Sequence, residues 1–120
     1  MENPFLRETS EYKHLLAGIE AKPSVVALFG LPPTARAELL AALCEDTKRP
    51  ALVICAGEAE ATRFAEDAGA FGQSAEVFPA RDFVLRAVES QNHEYEYRRL
   101  EVLGNVVGGR TNMVCAGVEA

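Results

Sequence analysis

At 120 residues the chain is long enough for one domain with a hydrophobic core and too short for two. Its 48% apolar and 25% charged residues, with 9 glycines and 6 prolines, exclude the disordered and fibrous classes. A formal net charge of −6 argues against gripping nucleic acid by its backbone, because that mode draws on a basic excess.

The elements follow in chain order. The start, "MENPFLRETSEYKHLL", lacks the charged-then-apolar layout of a signal peptide, and no run of about 18 apolar residues offers a membrane span; a cytoplasmic protein with no membrane partner is expected. "EYKHLLAGIEA" puts Leu15, Leu16 and Ile19 on one helical face, with Thr9 or Ser10 as cap and Lys22-Pro23 as stop. Residues 24–29, "SVVALF", read as a buried strand. A helix from about Ala35 buries Leu39, Ala42 and Leu43, and "DTKRP" closes it. Residues 51–56, "ALVICA", are a second buried strand, followed by a helix with Ala61, Phe64, Ala65 and Ala68 as its apolar stripe.

"AEVFP" is a third strand stopped by Pro79, and a loop, "ARDFVLRAVESQN", leads to a helix over about 93–107. Its spacing predicts an inner face of Tyr97, Leu100, Leu103 and Val107, with Glu94 and Arg98 as an i,i+4 pair. Residues 111–116, "TNMVCA", form a fourth strand. Alternation of strands and helices implies an α/β fold: an open, mainly parallel four-stranded sheet with helices on both faces. Residues 1–23 would be an N-terminal helical segment and 24–120 the α/β unit; "CAGVEA" leaves a strand and begins a new element, as in a piece of a longer protein.

The three cysteines, Cys44, Cys55 and Cys115, show no CxxC or Cys/His spacing and read as reduced, buried thiols; no metal site is expected. His14 and His93 have no partner pattern and read as surface or capping residues. Arg81 and Asp82 follow a strand end, which in open α/β sheets faces the ligand crevice, or else they pair locally with Arg86 or Glu89. "HEYEYRR" balances acids against bases and reads as a half-buried helix rather than a nucleic-acid contact.

The stretch that bears on function is 30–37, which follows an apolar run and precedes a helix as a phosphate-binding loop does. Set on G-x-x-x-x-G-K-[ST], Gly30 keeps its place, but Ala35 stands for the second glycine, Arg36 for the lysine and Ala37 for the magnesium-binding hydroxyl. Pro32 and Pro33 have no N–H to give a phosphate, and the Cβ of Ala35 restricts close approach. Arg36 keeps the charge in a bulkier planar fork. Strand ends reading Ala-Gly supply no second acid, so no ATP hydrolysis, and no cofactor, is expected of this chain. Without further context the octet also fits an ordinary strand–loop–helix turn, with Thr34 as cap.

Other segments add to this. "FPARDFVLRAVESQNHEYEYRRLEVLGNVVGGRTNMVCAGVEA" resembles the amino-terminal part of the bacterial transcription-repair coupling factor (Mfd) family through Phe78-Pro79-Ala80, Asp82 and Phe83, Arg99-Leu100 with Leu103, and Val118-Glu119-Ala120. "RPALVICAGEAEATRFAEDAGAF" is similar to that family's second strand and helix. The resemblance implies a UvrB-like, helicase-type fold with a degenerate P-loop; only about a dozen residues follow Asp82 before the next helix, too few for UvrB's inserted hairpin. It implies that the parent protein uses ATP and Mg in a carboxy-terminal motor to displace stalled RNA polymerase from damaged DNA. UvrA would bind mainly through the following subdomain, and this chain would be a scaffold touching the remaining domains. The competing expectations are an independent nucleotide-binding domain or weak ATPase using Arg36, and a flavodoxin-like interaction module.

Overall fold

The computed structural model describes residues 5–21, 25–80 and 89–120. A 3-10 turn, Leu6–Glu8, precedes helices α1 (Ser10–Glu20) and α2 (Pro33–Thr47), strand β1 (Ala51–Cys55), helix α3 (Glu58–Ala70), strand β2 (Ala75–Phe78), helix α4 (Glu89–Val107) and strand β3 (Met113–Gly117). The three strands form one parallel sheet in the order β1-β3-β2. The path from β1 to β2 passes over β3, and the path from β2 back to β3 reverses direction. Crossovers of one hand that reverse direction must use opposite faces of the sheet. That is what is observed: α3 lies on one face and α4 on the other.

The first face carries Ala51, Val53 and Cys55 of β1, Ala75 and Val77 of β2, and Met113 and Cys115 of β3. Ala61 and Ala68 of α3 and Cys44 of α2 close over them, and Met113, Cys115, Ala61 and Ala68 are fully buried. Small residues on α3 bring its backbone near the strands. Outside this layer, α1 packs on α2 through Tyr12, Leu15, Leu39, Ala42 and Leu43. Thr9 is the cap of α1, accepting a hydrogen bond from the Tyr12 backbone N–H.

Four expectations change. Residues 25–29 form no strand: Val25 is 100% and Phe29 91% exposed, and the sheet has three strands rather than four among the described residues. A β-branched run becomes a strand only by joining a ladder, and this one joins none. The strand at 51–55 is not buried on both sides, because Leu52 and Ile54 are exposed. Helix α2 starts at Pro33 with Pro32 as its cap residue, so Thr34 sits inside the first turn and does not cap.

The fourth change concerns α4, which starts at Glu89 rather than His93. Tyr97, Leu100, Leu103 and Val107 face outward, while Val102 is fully buried and Val106 half-buried. Polar residues hid the true inner face. Arg99 donates to the Pro79 carbonyl at 2.9 Å and lies 4.3 Å from the Phe78 ring centre. Asn105 donates to both oxygens of Glu76 at 3.1 and 3.2 Å. Arg98 bonds Glu101, one turn further on.

Candidate functional site

The loop at 30–37 is the first place to look for chemistry. Gly30 has φ +80°, a conformation glycine adopts without strain, and a Cβ there would meet nothing within 4 Å. The chain then enters α2 through two prolines. With Pro32 and Pro33 lacking N–H groups, and the Arg36 N–H donated to the Pro32 carbonyl at 3.1 Å, the helix start has few donors left for an anion. The Arg36 side chain folds back, its Nε donating to the Leu31 carbonyl at 2.9 Å. Ala37 is fully buried against the core, so a side chain at this position does not face the loop mouth. Ala35 is half-buried and Thr34 exposed.

Behind the loop lies a hollow of about 440 Å³ between α2 and β1, lined by Leu28, Leu31, Leu39, Leu43, Val53 and Phe64, with Arg36 as the one charged lining residue among the described residues. Such a lining suits hydrocarbon, not a triphosphate. The octet thus leads into a helix without following a strand, and its one cation is committed to its own backbone.

The second place is the carboxyl end of the strands, where open α/β sheets form a crevice. Here it is shut. The Val118 N–H donates to the Cys55 carbonyl at 3.0 Å, and a Cβ on Gly117 would come within 3.0 Å of the Gly57 carbonyl carbon. The Ala-Gly strand ends therefore serve close backbone packing between β1 and β3. Arg81 and Asp82 lie outside the described residues, as does the His93 side chain; His14 is exposed.

Two polar clusters escaped the sequence reading. In one, Glu76 on β2 accepts from Asn105 and from the hydroxyl of buried Thr111, while Arg110 Nε donates to Asn105 Oδ1 at 2.9 Å. A glutamate inside "AEVF" was the available signal, since a carboxylate on a covered sheet face needs donors. In the other, the Tyr12 hydroxyl and Arg7 Nε both donate to the Asp46 carboxylate, and Arg7 Nη2 bonds Glu45 at 2.7 Å. The Tyr12 hydroxyl, followed by Arg7, holds the Asp46 carboxyl below its usual range, whereas burial and then Asp46 push Tyr12 up to about 12. Both clusters join helices to neighbours.

Burial raises the pKa of Cys44, Cys55 and Cys115, with Cys115 at about 11, so all three thiols stay protonated near neutrality. No group of His, Cys, Asp and Glu among the described residues could hold a metal ion. Nor is any helix of the described residues long and apolar enough to cross a membrane.

Comparison with known proteins returns no matching family model and no matching solved structure. It does return a transcription-repair-coupling factor of Bacillus subtilis (strain 168), 23% identical over 118 residues. The match takes in 97% of this chain and 10% of the relative, so the chain spans about a tenth of that protein's length. Along nearly its whole length, the chain is similar to one segment of a transcription-repair coupling factor.

Proposed function

We propose that the chain is a non-catalytic scaffold subdomain from the amino-terminal part of a transcription-repair coupling factor, built on a helicase-type fold whose phosphate loop has lost its chemistry. The observation that carries this reading is the similarity along 97% of the chain to such a factor. The loop supports the non-catalytic part: prolines stand where N–H donors are needed, Arg36 is held by Leu31, and Ala37 is turned into the core.

On this reading the parent protein spends ATP and Mg in a separate carboxy-terminal translocase, which displaces RNA polymerase stalled at DNA lesions. UvrA is recruited mainly through the subdomain that follows this one. The chain itself contacts the remaining domains of the parent, and its net charge of −6 agrees with leaving DNA to other domains.

Calorimetric titration with Mg-ATP tests the reading against an independent nucleotide-binding domain or weak ATPase. No binding at micromolar nucleotide is expected; micromolar binding that disappears in Arg36→Ala would falsify the scaffold reading. Retention of UvrA on immobilised protein tests the partner. A polypeptide extended past Ala120 through the next subdomain should retain it and the 120-residue chain should not; equal retention would move the contact surface onto this chain.

A further inference from the structure

The sheet is unfinished on one side, and three of its features agree on what finishes it. The first is a free edge. Ala51 donates to the Asn112 carbonyl and Cys55 accepts from Val118, so the alternate residues Leu52 and Ile54 point their backbone N–H and C=O groups away from β3, toward an edge with no neighbouring strand among the described residues.

The second is a bare face. Register places Leu52, Val114 and Glu76 in one row across the sheet and Ile54, Ala116 and Phe78 in the next. Helix α4 covers the β2 end of these rows through Val102, Asn105 and Arg99. At the β1 end, Leu52 is 67% and Ile54 65% exposed, at the floor of an apolar groove of about 520 Å³ with Leu103 and Val106 of α4 as its wall. Strands of parallel sheets are ordinarily covered on both faces.

The third is the direction of the chain. A parallel strand placed on the free edge of β1 and reached from β3 travels in the same sense as the step from β2 to β3. A crossover of the same hand must then use the same face as α4. The part of that face left uncovered is the groove, and Val118 and Ala120, just beyond β3, already line it.

We infer that in the longer protein the polypeptide following β3 runs as an amphipathic helix through this groove, apolar side down on Leu52 and Ile54, and delivers a parallel strand to the free edge of β1. The inference rests on reading the chain as one subdomain of a larger protein, in keeping with its covering 10% of the relative.

Thiol labelling of an Ile54→Cys variant tests it, in the 120-residue chain and in the full-length protein. The unsubstituted form of each protein provides its blank; in the 120-residue chain Cys44 and Cys115 are buried and Cys55 half-buried. The introduced thiol should react about tenfold or more slowly in the full-length protein, and the Leu52 and Ile54 amides should gain protection from hydrogen exchange there. Equal labelling in both overturns the inference and leaves the coupling-factor reading to its own ATP and UvrA tests. Labelling of the 120-residue chain that slows as protein concentration rises assigns the groove to a second copy, and overturns it too. A natural reading frame that stops at Ala120 removes both the inference and the reading beneath it.

Discussion

The two faces of strand β1 are made from equally apolar residues and are treated differently by the fold. On one, Val53, Cys55, Met113 and Cys115 lie beneath α2 and α3, and α1 covers α2 in turn. On the other, Leu52 and Ile54, one residue away from Val53 along the same strand, stand in a groove beside a single helix. At β1 side-chain chemistry does not distinguish the faces; the supply of covering elements does. The closed face is where this chain gains its stability, and the open face is where it is equipped to meet something else.

The largest expected effect follows from that difference. Met113 is fully buried in the middle strand, between the alanines of α3 and Cys44 of α2. Met113→Ala should destabilise the chain by about 2–5 kcal/mol, through lost burial plus a cavity. Chemical denaturation should show a lower midpoint at unchanged slope. A loss under about 1 kcal/mol would mean that the closed face relaxes as freely as the open one, and the contrast would fail.

The outer layer of the closed side is held partly by charge, which makes it sensitive to pH. Tyr12→Phe keeps the buried ring and removes the hydroxyl that Asp46 accepts from, so it should cost about 1.5 kcal/mol, a typical value for a bond to a charged group. The difference between the two proteins has a defined window. Asp46 is depressed below its ordinary carboxylate value in the folded state, so its contribution is present above the unfolded pKa, near 4, and fades as pH falls through the folded value. Tyr12 is raised to about 12, so its contribution is full below the ordinary phenol pKa of 10.0 and is lost as pH rises through the folded value. Stability of the two proteins, measured by denaturation across pH, should therefore differ most between about pH 5 and 9 and converge on both sides. A difference that stays constant down to pH 2 would assign the effect to packing of the ring instead.

Much of the closed side could be read from sequence, because one periodicity explains it. The stripe Ala61, Phe64, Ala65 and Ala68 has one solution, and Thr9 precedes its helix with a capping side chain; the exposure of alternate residues in 51–55 was not legible, because "ALVIC" is apolar throughout. The open side could not be read this way. Helix α4 offers two apolar stripes, and the choice fell to Asn105 and Arg99, whose partners Glu76 and Pro79 are distant in sequence. Residues 25–29 have strand propensity, yet the ladder they would join depends on which edge is offered, and that is a property of the whole sheet. The two prolines at the start of α2 were legible as removing N–H donors from 30–37, since each missing donor is a missing atom. That Arg36 turns onto Leu31 was not, because a flexible cation can reach several acceptors.

The smallest expected effect is the sharpest test of the open face. Ile54→Thr keeps a β-branched side chain in the strand and changes only what that side chain presents to the groove. With Ile54 65% exposed, little apolar surface is returned to water, and the 120-residue chain should lose no more than about 0.5 kcal/mol. In a protein whose groove is filled, the same hydroxyl would be pressed against an apolar partner without a hydrogen-bond acceptor, at a cost of about 1–3 kcal/mol. The pair of measurements thus reads coverage of one face directly. A large loss already in the 120-residue chain would show that something covers Ile54 there, and that the two faces are more alike than their exposure indicates.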